Sequence, residues 1–211
     1  MKSATATLKP KPDVQGARTK LLDAALRVFA RDGLHRATTR IIAEEAGVNE
    51  VTLFRQFQSK DGLIAAVFER VTETNAYGDL GEEEAWAGDL RESLMRFGES
   101  FYAMLEKDEA FIRTLIGEAR RHPEHYRKII MDAIRHLRSR FIGNLEAARK
   151  NGKVRPEINL SAAVDTFTNM LMGGMLKNTA SCNEGYDATT YVATCVDIFA
   201  AGLAPISTSR P

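Results

Sequence analysis

Between residues 40 and 57, two short apolar stripes of helical spacing are separated by only Gly47, Val48 and Asn49. No other feature restricts the fold as tightly. Ile42 and Ala46 share one face of a first predicted helix, 40–46, and Leu53 and Phe57, four apart, share the inner face of a second, 50–57. A link this short forces the two helices against each other. Gly47 permits the tight turn, and the small Ala43 and Ala46 permit the close approach. With Leu53 and Phe57 anchored, the opposite face of the second helix presents Val51, Thr52, Arg55 and Gln56. Thr, Arg and Gln bond phosphates and base edges, and a short helix held this way is the kind that enters the major groove of duplex DNA.

The flanking residues extend the pattern. Leu22, Ala25, Leu26 and Phe29 predict a helix over 17–31 that stops at Gly33. Thr38 or Thr39 can cap the 40–46 helix, and Ser59 caps a fourth, with Asp61 in its first turn where a carboxylate suits the helix dipole. Beyond Leu63 the spacing stays helical, with predicted segments at 60–76, 83–106, 108–120, 123–151, 160–180 and 187–203. Breaks are expected at Gly78 to Gly81, at Lys107/Asp108, at Pro123, at Gly152 to Pro156 and at Ser181 to Gly185. No alternating segment reads as a strand. The fold class is therefore all-α, a three-helix helix-turn-helix head followed by a helical bundle. The expected division is 1–15 as a disordered basic arm, 16–62 as the DNA-binding head and 63–211 as a ligand-sensing and dimerisation domain.

Charge points to the same end of the chain. The net charge is only +1, but residues 1–62 hold 11 Lys/Arg against 7 Asp/Glu, while 63–211 hold 18 against 21. The surplus marks the N-terminal part as the surface for a polyanion. The arm's Lys2, Lys9 and Lys11 add to it, as a solubilising tail or as a minor-groove follower. Cys182 and Cys195 form neither a CxxC pair nor a disulfide framework, and no stretch has signal-peptide or membrane-span character, so a cytoplasmic location is expected.

The stretch ATTRIIAEEAGVNEVTLFRQFQSKDGL, residues 37–63, closely resembles the signature of the tetracycline-repressor (TetR) family. Thr39, Ile42, Ala43, Ala46, Gly47, Val48, Thr52, Leu53, Phe57, Ser59, Lys60 and Leu63 fall in register with it, and the preceding Ala24, Ala25, Phe29 and Gly33 are similar to that family's first helix. The resemblance is sharp over about fifty residues. It implies a homodimer of nine-helix subunits that represses nearby genes and releases a palindromic double-stranded DNA operator when a small molecule enters the C-terminal domain. It also implies roles residue by residue. Arg40, Glu50, Val51 and Thr52 match positions used for bases; Thr39, Phe54, Arg55, Gln56 and Lys60 match positions facing the DNA backbone. Phe54 stands where tyrosine is common, and Glu50 where a neutral or basic residue is more usual.

The rest of the chain supplies two further expectations. Phe97, Phe101, Met104, Phe111 and Leu115, opposed by Met131, Ile134 and Met170, are candidate walls for a small apolar effector, although most can be plain core. Leu160, Val164, Phe167, Leu171 and Gly174 on one helix, with Val192, Cys195, Val196 and Phe199 on the next, are candidates for a two-fold interface or for an internal core. Gly173 and Gly174 would permit close helix approach. His122 and His125 flank Pro123 with Glu118 four residues before His122, but a metal site wants three or four convergent ligands with supporting groups, and the charged stretch EARRHPEHYR reads as an ordinary helix junction, so neither metal nor cofactor is expected. With no nucleophile motif or phosphate loop in the chain, enzymatic chemistry has no support. A transcriptional activator using the same head is the remaining alternative to a repressor.

Overall fold

The computed structural model describes residues 14–73, 86, 88–178 and 185–205. Among these are nine helices: α1 (Val14–Arg36), α2 (Thr39–Glu45), α3 (Glu50–Phe57), α4 (Lys60–Glu73), α5 (Leu90–Lys107), α6 (Glu109–Arg121), α7 (Pro123–Lys150), α8 (Leu160–Asn178) and α9 (Ala188–Leu203). No strand occurs among the described residues. The expected basic arm falls mostly, and the break at Gly78 to Gly81 and Cys182 wholly, outside them.

Local chemistry sets the helix ends. Gly33, at φ 79°, interrupts α1 where the sequence predicts a stop, and one more turn follows before the chain reaches Thr38. Thr38 caps α2, its side chain accepting from Ile41 N, and Asn49 caps α3 by accepting from Val51 N at 2.8 Å. Ser59 Oγ accepts from Gly62 N at 3.0 Å at the start of α4. Each cap satisfies an amide that the helix itself leaves without a partner. Within the 83–106 segment α5 starts at Leu90, where Asp89 caps it by accepting from Glu92 N at 2.9 Å.

The three-helix head closes on Leu21, Ala25, Phe29, Ile42, Leu53 and Phe57, all buried. The leucine, isoleucine and phenylalanine side chains among them are worth about 1.5–3 kcal/mol each when fully buried. Ion pairs brace the periphery, with Glu45 of α2 taking Arg27 and Arg31 of α1, both at 3.0 Å. The head is not isolated from the body. α1 packs on α6 and α4 packs on α7, while Arg70 of α4 reaches Asp23 of α1 at 2.6 Å. Phe111 of α6 meets Phe29 and Phe68 at centroid distances of 6.1 and 6.4 Å, so the apolar core runs from head to body. Within the body, α5 packs between α8 and α9, and the rings of Phe97, Phe141, Phe167 and Phe199 form a connected stack.

The candidate interface residues on α8 and α9 require correction. Leu160, Val164, Phe167, Leu171, Gly174, Val192, Cys195, Val196 and Phe199 are all buried within the single chain. They form the internal core, the other reading that their spacing allowed. Periodicity reveals that a helix has an apolar face but not whose helix covers it. Gly174 shows this directly, since a Cβ there would lie 2.0 Å from the ring of Tyr191 of α9. The close approach is to the chain's own tyrosine, whose hydroxyl donates to the Met170 carbonyl at 2.7 Å. Gly173 has nothing within contact range of a Cβ.

Candidate nucleic-acid interface

The turn between α2 and α3 is built from the residues that mark it in sequence. Gly47 adopts φ 68°, a left-handed conformation that costs a residue with a Cβ, and its amide donates to the Glu44 carbonyl at 3.1 Å. Val48 N then donates to the Ala43 carbonyl at 3.0 Å, closing the end of α2. Leu53 and Phe57 turn inward, and Arg18 of α1 sits 4.7 Å from the Phe57 ring centroid, a cation–π contact that pins the far end of α3.

The outward face of α3 is therefore free to meet a partner. Val51 is 72% exposed and Phe54 45% exposed. The two side chains are three residues apart and form a small apolar patch on the outer face of an anchored helix. Arg55 is exposed beside them, whereas Thr52, Gln56 and Glu50 are half-buried. Arg40, on α2, is exposed, and its Nε donates to Glu44 Oε1 at 3.0 Å. The Glu44 carboxylate, helped by Glu50, holds that guanidinium firmly charged. Solvent screens an exposed i,i+4 pair of this kind, so Arg40 can leave Glu44 at little cost.

Thr39 and Lys60 are more constrained than their sequence positions indicate. Thr39 Oγ1 donates to Glu50 Oε1 at 2.6 Å, tying the first residue of α2 to the first residue of α3. Lys60 Nζ donates to the His35 carbonyl at 3.4 Å, and its partial burial pushes the ammonium pKa down. Arg40, Val51, Thr52, Phe54, Arg55 and Gln56 thus gather along α2 and α3, with Lys60 at the start of α4. Sequence reasoning missed the Asn49 cap, although Asn directly before an amphipathic run is a helix-start signal. It also missed the Thr39–Glu50 bond, which no local pattern encodes.

The candidate effector residues do not form one wall. Phe97 and Phe101 stack at 5.7 Å and, with Met104, belong to the buried face of α5. Phe111 and Leu115 lie on the buried face of α6, which also faces the head. Met131 is 48% exposed on α7, Ile134 is half-buried, and Met170 lines a groove on the outer side of α8 and α9. Glu118 is buried and takes Arg121 at 2.8 Å, while His125 Nε2 lies 3.1 Å from Asp61 Oδ1. No three metal-ligating side chains converge among the described residues.

This geometry has close relatives. A model described as bacterial regulatory proteins of the tetR family matches residues 21–67, and one described as the C-terminal domain of AefR-like transcriptional repressors matches residues 92–202, more than half of the chain. The chain belongs to the tetR family of bacterial regulatory proteins. It is a DNA-binding regulator of transcription, not an enzyme. The transcriptional repressor KstR2 of Rhodococcus jostii is 27% identical over 149 residues, 70% of this chain and 72% of that protein. The regulator YvkB of Bacillus subtilis is 27% identical over 128 residues, 56% of this chain and 66% of that protein, just under two thirds of its length. Among solved structures, the regulator FadR of Bacillus subtilis in complex with stearoyl-CoA superposes with a TM-score of 0.73 at 19% identity, covering 88% of this chain and 98% of that one. The fatty acid degradation regulator FadR of Bacillus halodurans superposes with a TM-score of 0.71 at 21% identity, covering 92% and 98%. These two likenesses concern the fold. No helix of the described residues is long and apolar enough to cross a membrane.

Proposed function

We propose that this regulator is a homodimeric repressor that occupies a palindromic operator and leaves it when an apolar effector enters the body. Residues 16–62 are the DNA head in this reading, and 63–211 carry effector sensing and dimerisation. The observation that carries it is the outward face of α3, where Val51 and Phe54 stand exposed beside Arg55 on a helix locked from behind by Leu53, Phe57 and the Asn49 cap. In this reading Arg40 swings from Glu44 to bond guanine O6/N7, with Val51 and Thr52 against neighbouring base edges. Phe54, Arg55, Gln56 and Lys60 face phosphates, while the Thr39 hydroxyl, expected from its position to do the same, gives its one proton to Glu50.

Dimerisation is assigned to the outer face of α8 and α9, not to the buried face. Ile198 is 59% exposed there and, with Ile158, Ala162, Thr166, Met170 and Phe199, borders a groove of about 340 Å³. A second copy related by a two-fold axis would cover it, as self-complementary helix faces do. Repression is supported by the AefR-like repressor match and by KstR2, and an effector with an apolar chain by the stearoyl-CoA bound to Bacillus subtilis FadR.

The test is selection of bound sequences from random duplexes at physiological salt, followed by titration of the complex. A palindrome with half-sites about 34–36 Å or a multiple apart is the expected result. A selected pool indistinguishable from bulk competitor would overturn the reading. Stearoyl-CoA is the first titrant. Release of the operator by it, at concentrations that leave the fold intact, identifies a long acyl chain as the effector class; no release by it or by other apolar ligands removes induction from the function.

A further inference from the structure

Glu50 occupies a position expected to read a base, yet its carboxylate is already engaged. Thr39 Oγ1 donates to Glu50 Oε1 at 2.6 Å in a partly buried setting, within the range of a strong hydrogen bond to an ionised acceptor. The two residues open α2 and α3, so this bond joins the N-termini of the two helices whose mutual angle decides where the reading face points. The bond lies at the opposite end of α2 from the covalent link, since Gly47, Val48 and Asn49 connect the C-terminus of α2 to the N-terminus of α3. Without it, only side-chain packing would set the spacing of the Thr39 end.

Two further facts favour a structural use of the carboxylate. A negative charge in the first turn of α3 complements that helix's own dipole wherever the DNA lies. The same charge, close to a phosphate-facing surface, opposes every duplex alike and supplies no sequence information. By contrast the exposed side chains of α3, Val51, Phe54 and Arg55, have no such tie within the described hydrogen bonds and ion pairs.

Resting on the DNA-binding reading above, we propose that Glu50 is a positioning residue, a strut that holds Thr39 and so fixes α3 against α2, and that base reading falls to Arg40, Val51 and Thr52. Glutamine can keep the acceptor and lose the charge; alanine removes both. Thr39→Ser keeps the hydroxyl and Thr39→Val removes it. The four single variants and the Thr39→Val/Glu50→Ala double variant form the experiment, read by operator affinity, by base preference at each operator position, and by thermal unfolding without DNA.

The strut predicts that Glu50→Gln binds every duplex several-fold more tightly while base preference stays as in the parent chain. Glu50→Ala and Thr39→Val each weaken operator binding about tenfold, and the double variant is no worse than the poorer single, because both remove one interaction. Thr39→Ser recovers most of the loss. The unfolding measurements show the same non-additivity with no DNA present, so the strut is tested even if no operator is found. A change of preferred base at one position in Glu50→Gln overturns the proposal in favour of direct reading. Additive losses on the cycle in unfolding overturn it as well. Failure of the parent chain to select any sequence would sink the DNA reading and leave the unfolding cycle to judge the strut alone.

Discussion

Phe54 is half in solvent on the face that α3 presents, a position where the family commonly carries tyrosine. Restoring the hydroxyl adds a donor without adding charge. Phe54→Tyr is expected to raise operator affinity several-fold, in line with about 0.5–1.5 kcal/mol for one hydrogen bond, and to leave the salt dependence unchanged, since no counterion is released by a neutral group. Anisotropy titrations at several salt concentrations check both parts, and an altered slope would contradict the phosphate-facing placement. Asp108, at the joint of α5 and α6, poses a different residue-scale question. It is buried, its side chain makes no cap bond to α6, and burial raises its pKa above the ordinary 3.8, against the weaker pull of Lys107 and Arg70. A folded-state pKa above the unfolded one means that the fold favours the protonated acid. Asp108 therefore costs nothing below 3.8 and opposes folding increasingly as pH rises through its raised value. Asp108→Asn is expected to be more stable than the parent chain at neutral pH and equal to it below 3.8, which paired melting curves at the two pH values measure.

At the scale of elements, the joint between α8 and α9 depends on the absence of a side chain at Gly174. A methyl group there would meet Tyr191 Cε1 at 2.0 Å, and the ring is held by its bond to the Met170 carbonyl, so it cannot swing aside freely. Gly174→Ala is expected to destabilise the fold by about 1–3 kcal/mol, the usual cost of overpacking, with the loss visible as a lower midpoint in urea. An unchanged midpoint would mean that the two helices can separate cheaply. The same pair of elements shows what sequence could and could not reveal. Helix positions were legible because caps and stops are local: Thr38, Ser59, Gly33 and Gly47 sit where their chemistry requires. The buried pair Leu53 and Phe57 was legible for the same reason, a four-residue spacing beside a three-residue turn. The partner of an apolar face is a tertiary fact, so Val164, Phe167 and Val196 read from their spacing as a candidate interface, with core as the alternative, and their burial in one chain puts them in the core. The bond between Thr39 and Glu50 joins residues eleven apart on different helices and leaves no periodic trace.

For the molecule as a whole, function in the proposed reading depends on joining two heads. A single α3 can contact only one half-site, and a palindrome is bound tightly because the first head to dock holds the second nearby. Linking two modules in this way raises overall affinity by about 10²–10⁴-fold over one module alone. Ile198 is the side chain to test, because it is 59% exposed on the groove of α8 and α9 and so contributes little to the subunit's own core. Ile198→Glu would place a carboxylate where a second copy is expected to pack, and an unpaired buried charge is far costlier than the lost methyl groups. The variant is expected to keep the parent chain's helical content and subunit melting behaviour, to sediment as a monomer, and to lose affinity for the palindrome while retaining weak binding to an isolated half-site. Those three readouts separate a broken interface from a broken fold. A variant that still sediments as a dimer and binds the palindrome as before would move the two-fold axis to another face of the chain.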